Sequence, residues 1–221
     1  MAKAARSLDL SVDLLELTSD LVDFPSESRS EQALADAVEA ELKKLSHLEV
    51  LRFGNTVVGK TNFGRAERVV IAGHLDTVPS SGNDRALIVR QGGSVPVPDV
   101  DGKKTAAEDR LYGLGSCDMK GGVAVSLKLA KEITNPTRDI TFIYYDCEEI
   151  EAELNGLNKV SEKHPEWLSA DFAVLMEPSN AVVESGCQGT MRIEIRTAGR
   201  RAHTARSWMG ENAIHSLAKV L

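Results

Sequence analysis

The stretch Arg68-Val69-Val70-Ile71-Ala72-Gly73-His74-Leu75-Asp76-Thr77-Val78-Pro79 carries the argument about fold. Val69 to Ala72 is continuously apolar and rich in β-branched residues, the texture of a strand buried on both faces rather than one wetted on alternate residues. It then runs through a glycine into His74 and Asp76. Two more runs repeat the plan. Ile140-Thr141-Phe142-Ile143-Tyr144-Tyr145 leads into Asp146-Cys147-Glu148-Glu149, and Phe172-Ala173-Val174-Leu175-Met176 leads into Glu177-Pro178-Ser179. Leu48 to Phe53 and Thr56 to Lys60 are further strand candidates.

Helical spacing fills the gaps. Gly122 to Ile133 places Val123, Val125, Leu127, Leu129 and Ala130 in a helix, and a second lies at about Asn155 to Glu162. Upstream are two amphipathic helices. The first carries Leu14, Leu15, Leu17, Leu21 and Val22 behind a Ser11 or Asp9 cap; the second, opened by Ser30, carries Ala33, Leu34, Ala37, Val38, Leu42 and Leu45. Phe24-Pro25-Ser26-Glu27-Ser28 breaks the pattern between them. This alternation predicts an α/β fold, a mixed and mostly parallel sheet with flanking helices. The Gly/Pro/Asp-rich segment from Gln91 to Lys104 reads as a loop or hairpin excursion.

The texture changes near residue 190. Met191-Arg192-Ile193-Glu194-Ile195-Arg196 alternates strictly, as a half-exposed strand does, and Glu211 to Leu221 places Ile214, Leu217, Ala218 and Leu221 on one helical face. We therefore expect a first domain over 1–181 and the start of a second, α+β domain over 182–221. The last helix stops on its apolar stripe, without a capping glycine, so the chain is expected to be cut from a longer one.

The 221 residues include 33 acidic and 26 basic side chains, for a net charge of −7, with 42% hydrophobic and 27% charged residues. That composition excludes disordered and fibrous classes. The acidic balance, with no Lys/Arg run, argues against nucleic acid or an anionic membrane as partner. No apolar run reaches the ~20 residues of a membrane helix. Asp9, Asp13 and Glu16 interrupt any signal-peptide core. Three cysteines fit a reducing compartment, so the expected location is cytoplasmic.

In an α/β sheet, ligands bind beyond the carboxyl ends of strands. His74, Asp76, Glu148, Glu149 and Glu177 all stand at such ends, and Gly113-Leu114-Gly115-Ser116-Cys117 delivers Asp118 at a helix start. One imidazole with several carboxylates suits Zn²⁺, Co²⁺ or Mn²⁺ rather than a thiolate zinc finger. In His74-x-Asp76 the aspartate can accept the second ring N–H and fix the tautomer. Adjacent Glu148 and Glu149 point in different directions, so one can hold a metal while the other serves as general base. Other candidates receive plainer readings. His47 and His164 stand apart from other ligand types, and Cys117 and Cys147 are small hydrophobes beside the proposed site. Gly113-Leu114-Gly115 fails the dinucleotide fingerprint, since Asp118 stands in place of the third glycine, and there is no Gly-x-Ser-x-Gly or His-Glu-x-x-His.

Gly73-His74-Leu75-Asp76-Thr77-Val78-Pro79, Gly115-x-x-Asp118-Met119-Lys120-Gly121-Gly122, Asp146-x-Glu148-Glu149 and Met176-Glu177-Pro178 together resemble, in order and spacing, the M20 family of co-catalytic zinc aminoacylases and peptidases. Gly113 to Lys120, Tyr145 to Ile150 and Arg201-Ala202-His203-Thr204-Ala205-Arg206-Ser207-Trp208 are similar to a bacterial branch that removes succinyl groups. The resemblance implies a zinc-peptidase-like catalytic domain followed by a lid and dimerisation domain. It implies two zinc ions per complete site, with cobalt as a substitute. Asp118 would bridge them, His74 and Glu177 would complete one, and Glu149 would bind the other. Glu148 would be the base and proton shuttle, Asp76 would orient His74, and His203 would reach a partner subunit's site in a homodimer.

Gln188 and Thr190, between the hinge-like Gly186 and Gly189, and Arg206 are candidate contacts for a small N-succinyl amino-acid substrate. Acetylornithine deacetylase or a metal-dependent carboxypeptidase of the same family would share the metal-binding residues, and a catalytically silent fragment is a further alternative. The family's second metal takes one more histidine from a late motif. His215, in Gly210-x-Asn212-Ala213-Ile214-His215, does not match it, so this chain is expected to hold at most one ion tightly.

Overall fold

A computed structural model describes residues 7–97, 102–180, 182–186, 191, 193–218 and 220. The chain divides into two units, Met1–Ala181 and Val182–Leu221.

In the first unit, β1 (Glu49–Phe53), β2 (Thr56–Lys60), β3 (Arg68–His74), β6 (Asp139–Tyr145) and β7 (Phe172–Leu175) form one sheet in the order β1-β2-β6-β3-β7. β1 and β2 are a hairpin, β2 is antiparallel to β6, and β6-β3-β7 run parallel, so the sheet is mixed as expected. A separate antiparallel pair, β4 (Leu87–Val89) and β5 (Arg110–Tyr112), forms the excursion, extended by a bridge between Ser94 and Thr105.

Helices cover both faces. Alternate residues Val57, Ile71, Ile140, Phe142 and Tyr144 face one core with Leu17 and Leu21 of α1 (Leu14–Val22), Leu34, Val38 and Leu42 of α2 (Gln32–Leu42), and Val123 and Leu127 of α3 (Gly121–Glu132). Their neighbours Val58, Val70, Ala72, Ile143 and Tyr145 face a smaller core with Val160 of α4 (Gly156–Lys163) and Trp167. β6 is buried along its whole length because the sheet flanks it on both sides. Each large apolar side chain so enclosed contributes about 1.5–3 kcal/mol.

Local differences from expectation have local causes. The cap of α1 is Asp13, which accepts the Glu16 N–H, whereas Asp9 bonds Ser11 in the preceding turn. Glu31, not Ser30, stands before α2 and makes no side-chain cap. β7 was expected to be buried on both faces, yet Phe172 is 64% and Leu175 57% exposed. Among the described residues β7 pairs only with β3, so it is an edge strand here.

In the second unit, Ile193 to Arg196 belongs to no ladder among the described residues. A turn of 3₁₀ helix (Thr204–Met209) precedes α5 (Ala213–Leu217), whose cap is Asn212; Arg200 bridges Glu211. Among the described residues no helix is long and apolar enough to cross a membrane.

Candidate metal centre

Strand register assembles the site. β3 and β6 are paired from Arg68 opposite Asp139 to His74 opposite Tyr145, so the two strands end level. The residues immediately beyond, Asp76 and Glu148-Glu149, therefore emerge side by side. Ala72 lies opposite Leu175 of β7, which brings Glu177 to the same edge two residues later.

Asp118 arrives from a single π-type turn, Ser116–Lys120, ahead of α3. Its peptide bond to Met119 is cis. Two glycines make the approach possible. Gly115 has φ +75°, and a Cβ there would come within 2.7 Å of Thr77 Cγ2. At Gly122 a Cβ would stand 2.2 Å from the Met176 carbonyl oxygen. Only a residue without a side chain lets the start of α3 press against the end of β7, next to Glu177.

The side chains converge on His74, which is buried. One ligand atom from each of His74, Asp118 and Glu149 lies within 4.8 Å of the other two. His74 Nε2 is 3.1 Å from Asp118 Oδ1 and 3.9 Å from Glu177 Oε1. On the other side of the ring, Nδ1 lies 3.0 Å from the Asp76 main-chain carbonyl and 3.4 Å from Asp76 Oδ1. A carbonyl only accepts, so Nδ1 carries hydrogen and Nε2 is the nitrogen turned toward the acid cluster. The backbone of Asp76 thus makes the closest tautomer-fixing contact, ahead of the side chain that sequence reasoning favoured.

The Asp76 carboxylate has other partners. It accepts the Glu148 N–H at 2.9 Å, the Glu149 N–H at 3.1 Å and the Ser28 hydroxyl at 2.7 Å. It therefore anchors the turn that presents both glutamates.

The electrostatics are those of an acid cluster with one base. Burial works against a charged imidazole, but Asp76, then Glu177 and Glu148, outweigh it and raise His74 to about 9. Burial, then the repulsion of Asp118, Glu148 and Glu149 exceeding the attraction of His74, pushes Glu177 up to about 7. Burial and Asp118 raise Glu149 in the same direction. Asp76 goes the other way: burial opposes its ionisation, but hydrogen bonds from His74, Glu148, Ser28 and Glu149 hold it below the usual range.

Five carboxylates gathered near one imidazole, with Glu149 and Glu177 both raised, form a donor set rich in acid. Oxygen and imidazole donors of this kind fit a divalent cation. His74, Asp118, Glu149 and Glu177 are the residues that would hold it.

Of the other candidates, His203 caps the 3₁₀ turn of the second unit, where Nδ1 accepts the Ala205 N–H, and Arg206 lies in that turn; both are exposed. Gln188 and Thr190 lie outside the described residues. His47 bonds the Ala130 carbonyl and His164 stacks on Trp167, both structural roles. Sequence reasoning missed Ser28. A serine after Pro25 in an irregular stretch gave no periodic signal.

The model of the peptidase family M20/M25/M40 matches residues 70–220. The chain is 47% identical over 215 residues to a Mycobacterium tuberculosis (strain H37Rv) protein named for succinyl-diaminopimelate desuccinylase, DapE, covering 97% of this chain and 56% of that one. It is 43% identical over 219 residues to succinyl-diaminopimelate desuccinylase of Corynebacterium glutamicum, covering 97% of this chain and 54% of that one. The chain thus spans about half the length of the curated relatives it matches. Among solved structures, a tripeptidase from Staphylococcus aureus shares the fold with a TM-score of 0.58 at 19% identity, over 97% of this chain and 56% of that one. The aminopeptidase PepT from Bacillus cereus does so with a TM-score of 0.56 at 17% identity, over 96% and 56%. The family match begins inside β3, takes in every element that delivers a side chain to the acid cluster, and extends through α5: the chain belongs to peptidase family M20/M25/M40.

Proposed function

We propose that this chain carries the water-activating centre of a metal-dependent amidohydrolase that cleaves N-succinyl-LL-2,6-diaminopimelate to succinate and LL-2,6-diaminopimelate. The observation that carries the chemistry is the convergence of His74, Asp118 and Glu149 within 4.8 Å, beside Glu148 and Glu177. The identity to two desuccinylase-named proteins supports the substrate.

Bound zinc, or cobalt in its place, supplies Lewis acidity that lowers the pKa of water to ~7 and polarises the amide carbonyl. The protein's residues do the rest. His74, Asp118, Glu149 and Glu177 would hold the metal. Glu148 takes a proton from water as its oxygen bonds to the succinyl carbonyl carbon, then gives that proton to the amine nitrogen as the C–N bond breaks. Asp76 keeps Glu148 and Glu149 in place through their backbone N–H groups. In this reading the enzyme works in the cytoplasm, which the cysteine usage supports, as a homodimer joined through the second unit, where His203 serves the partner's site, which the family resemblance supports.

The test is succinate release by the full-length gene product, loaded with Zn²⁺ or Co²⁺, from N-succinyl-LL-2,6-diaminopimelate. Release that depends on the metal is expected. No release, with turnover of acetylornithine or of a peptide C-terminus instead, would move the substrate assignment to another branch of the family.

A further inference from the structure

The segment between α1 and α2, which sequence reading treats as a break, runs alongside the loop that follows β3. Glu27 bridges Thr77 in parallel; the Thr77 N–H donates to the Ser26 carbonyl, the Ser28 N–H donates to the Thr77 carbonyl, and the Ser26 hydroxyl donates to the Leu75 carbonyl. From this rail two side chains reach the supports of the acid cluster. The first is Ser28, whose hydroxyl donates to Asp76 Oδ2 at 2.7 Å.

The second is Glu31, which is fully buried. Its Oε1 accepts the Arg29 N–H at 2.8 Å, the Cys147 N–H at 3.2 Å and the Cys147 thiol at 3.4 Å, and Oε2 accepts from Asn55 Nδ2 at 3.5 Å. Although Glu31 stands at the start of α2, its side chain does not cap that helix. It turns to the loop after β6 instead.

Cys147 has φ +57°, a left-handed conformation that residues with a Cβ rarely adopt. This turn carries the chain out of β6 so that the next two N–H groups, those of Glu148 and Glu149, both meet the Asp76 carboxylate. Such a conformation persists where its surroundings fix it. Here Glu31 holds Cys147 from one side and Asp76 holds Glu148 and Glu149 from the other, and Ser28 in turn holds Asp76.

We propose that Ser28 and Glu31 are positioning residues: one brace ties the two loops that present His74, Glu148 and Glu149, and fixes the spacing of the ligand set. The proposal rests on reading the cluster as a metal centre. It goes beyond that reading by assigning a functional role to a segment that contributes no ligand. The buried Glu31 carboxylate meets the N–H of a left-handed residue one position before the proposed base.

The test uses the ¹⁵N-labelled chain and two variants, Glu31→Gln and Ser28→Ala. Co²⁺ alone is titrated by visible absorption, and amide hydrogen exchange is followed residue by residue without metal. The expected result is a roughly 10- to 100-fold loss of Co²⁺ affinity, the size of effect typical for supporting partners of metal ligands. Faster exchange at Cys147, Glu148 and Glu149 should accompany it, with β3 and β6 still protected. Unchanged affinity and unchanged exchange at those three residues would overturn the proposal. So would protection lost evenly through β3 and β6, which marks a general structural role. If Glu31→Gln does not fold, Ser28→Ala decides, since it removes a single half-buried oxygen. If the parent chain binds no Co²⁺, the functional reading fails, and the exchange pattern still decides whether the brace exists.

Discussion

At the amino ends of β3 and β6, the carboxylate of Asp139 is enclosed by donors: the Thr61 hydroxyl and the Phe63 and Arg65 N–H groups, each at 2.8 Å, with the Arg68 guanidinium 3.8 Å away. Burial opposes its charge, yet these partners hold it below the usual carboxylate range. At the carboxyl ends of the same two strands stands Asp76, also buried and also lowered, but next to a cluster of Asp118, Glu148, Glu149 and Glu177 in which His74 is the one base among the described residues. At one end charge and hydrogen bonds balance; at the other, acid exceeds base among the described residues. Burial alone does not distinguish a structural carboxylate from a functional one. The balance of donors and charge around it does, and four changes can break or sharpen that contrast.

The largest effect is expected at the unbalanced end. Glu148→Gln keeps the side chain's shape and removes its basicity, so turnover by the full-length protein should fall by about 10²–10⁴-fold. Metal binding should be unaltered, because Glu148 is not assigned as a ligand. Steady-state kinetics beside a Co²⁺ titration measure both. Retained activity would remove Glu148 from the role of base.

Next comes the pH dependence of the metal-free chain. Glu177, at about 7, and His74, at about 9, are both raised above their ordinary values of 4.5 and 6.5. The folded state therefore binds more protons than the unfolded one. The stabilisation from each group is full below its unfolded value and is lost as pH rises through the folded value. The window is roughly pH 4.5–7 for Glu177 and pH 6.5–9 for His74, and Glu149 contributes in the same sense. Thermal midpoints in EDTA should therefore fall as pH rises across this range. A divalent ion at 100 times its Kd should add about 2.7 kcal/mol. Protons compete for the same donors, so the ion's benefit should be greater at the alkaline side. A metal-free midpoint that climbs across the range would contradict the acid excess.

The two aspartates give the sharpest comparison. Asp139→Ala strands a buried hydroxyl and two N–H groups, which should cost roughly 1–3 kcal/mol in denaturant unfolding while leaving Co²⁺ affinity alone. Asp76→Asn should do the reverse in emphasis, costing about 10- to 100-fold in ion affinity. If both variants lose stability and affinity alike, the two ends are not separate in function.

How much of this was legible beforehand follows from the range of the interactions. The apolar runs at Val69–Ala72 and Ile140–Tyr145 announced central strands because their pattern is local. His74, Glu149 and Glu177 stood out as candidates because they follow strand ends, and Asp118 because a glycine loop delivers it at a helix start. The Ser28 to Asp76 and Glu31 to Cys147 contacts span 48 and 116 residues, and no periodicity carries that information. The same limit hid the main-chain carbonyl that makes the closest contact to His74 Nδ1, since a backbone group leaves no mark in the residue pattern. Burial of β7 was misjudged because an apolar run reports what a strand is suited to, not which neighbours cover it.

The smallest effect should be at the surface of the balanced end. Glu67 and Arg138 form an ion pair at 2.6 Å, with more than half of each side chain exposed. Water already solvates both charges there, and ordering two long side chains offsets much of the attraction. Glu67→Gln should therefore shift unfolding free energy by within about 0.5 kcal/mol. The pair lies at the same end of the sheet as Asp139, so proximity to that network is not what sets its value. Denaturant midpoints for Glu67→Gln and Asp139→Ala, measured together, separate the two explanations. A loss for Glu67→Gln as large as that for Asp139→Ala would mean that the whole charged end acts as one network, and that enclosure of the Asp139 carboxylate is not the source of its stability.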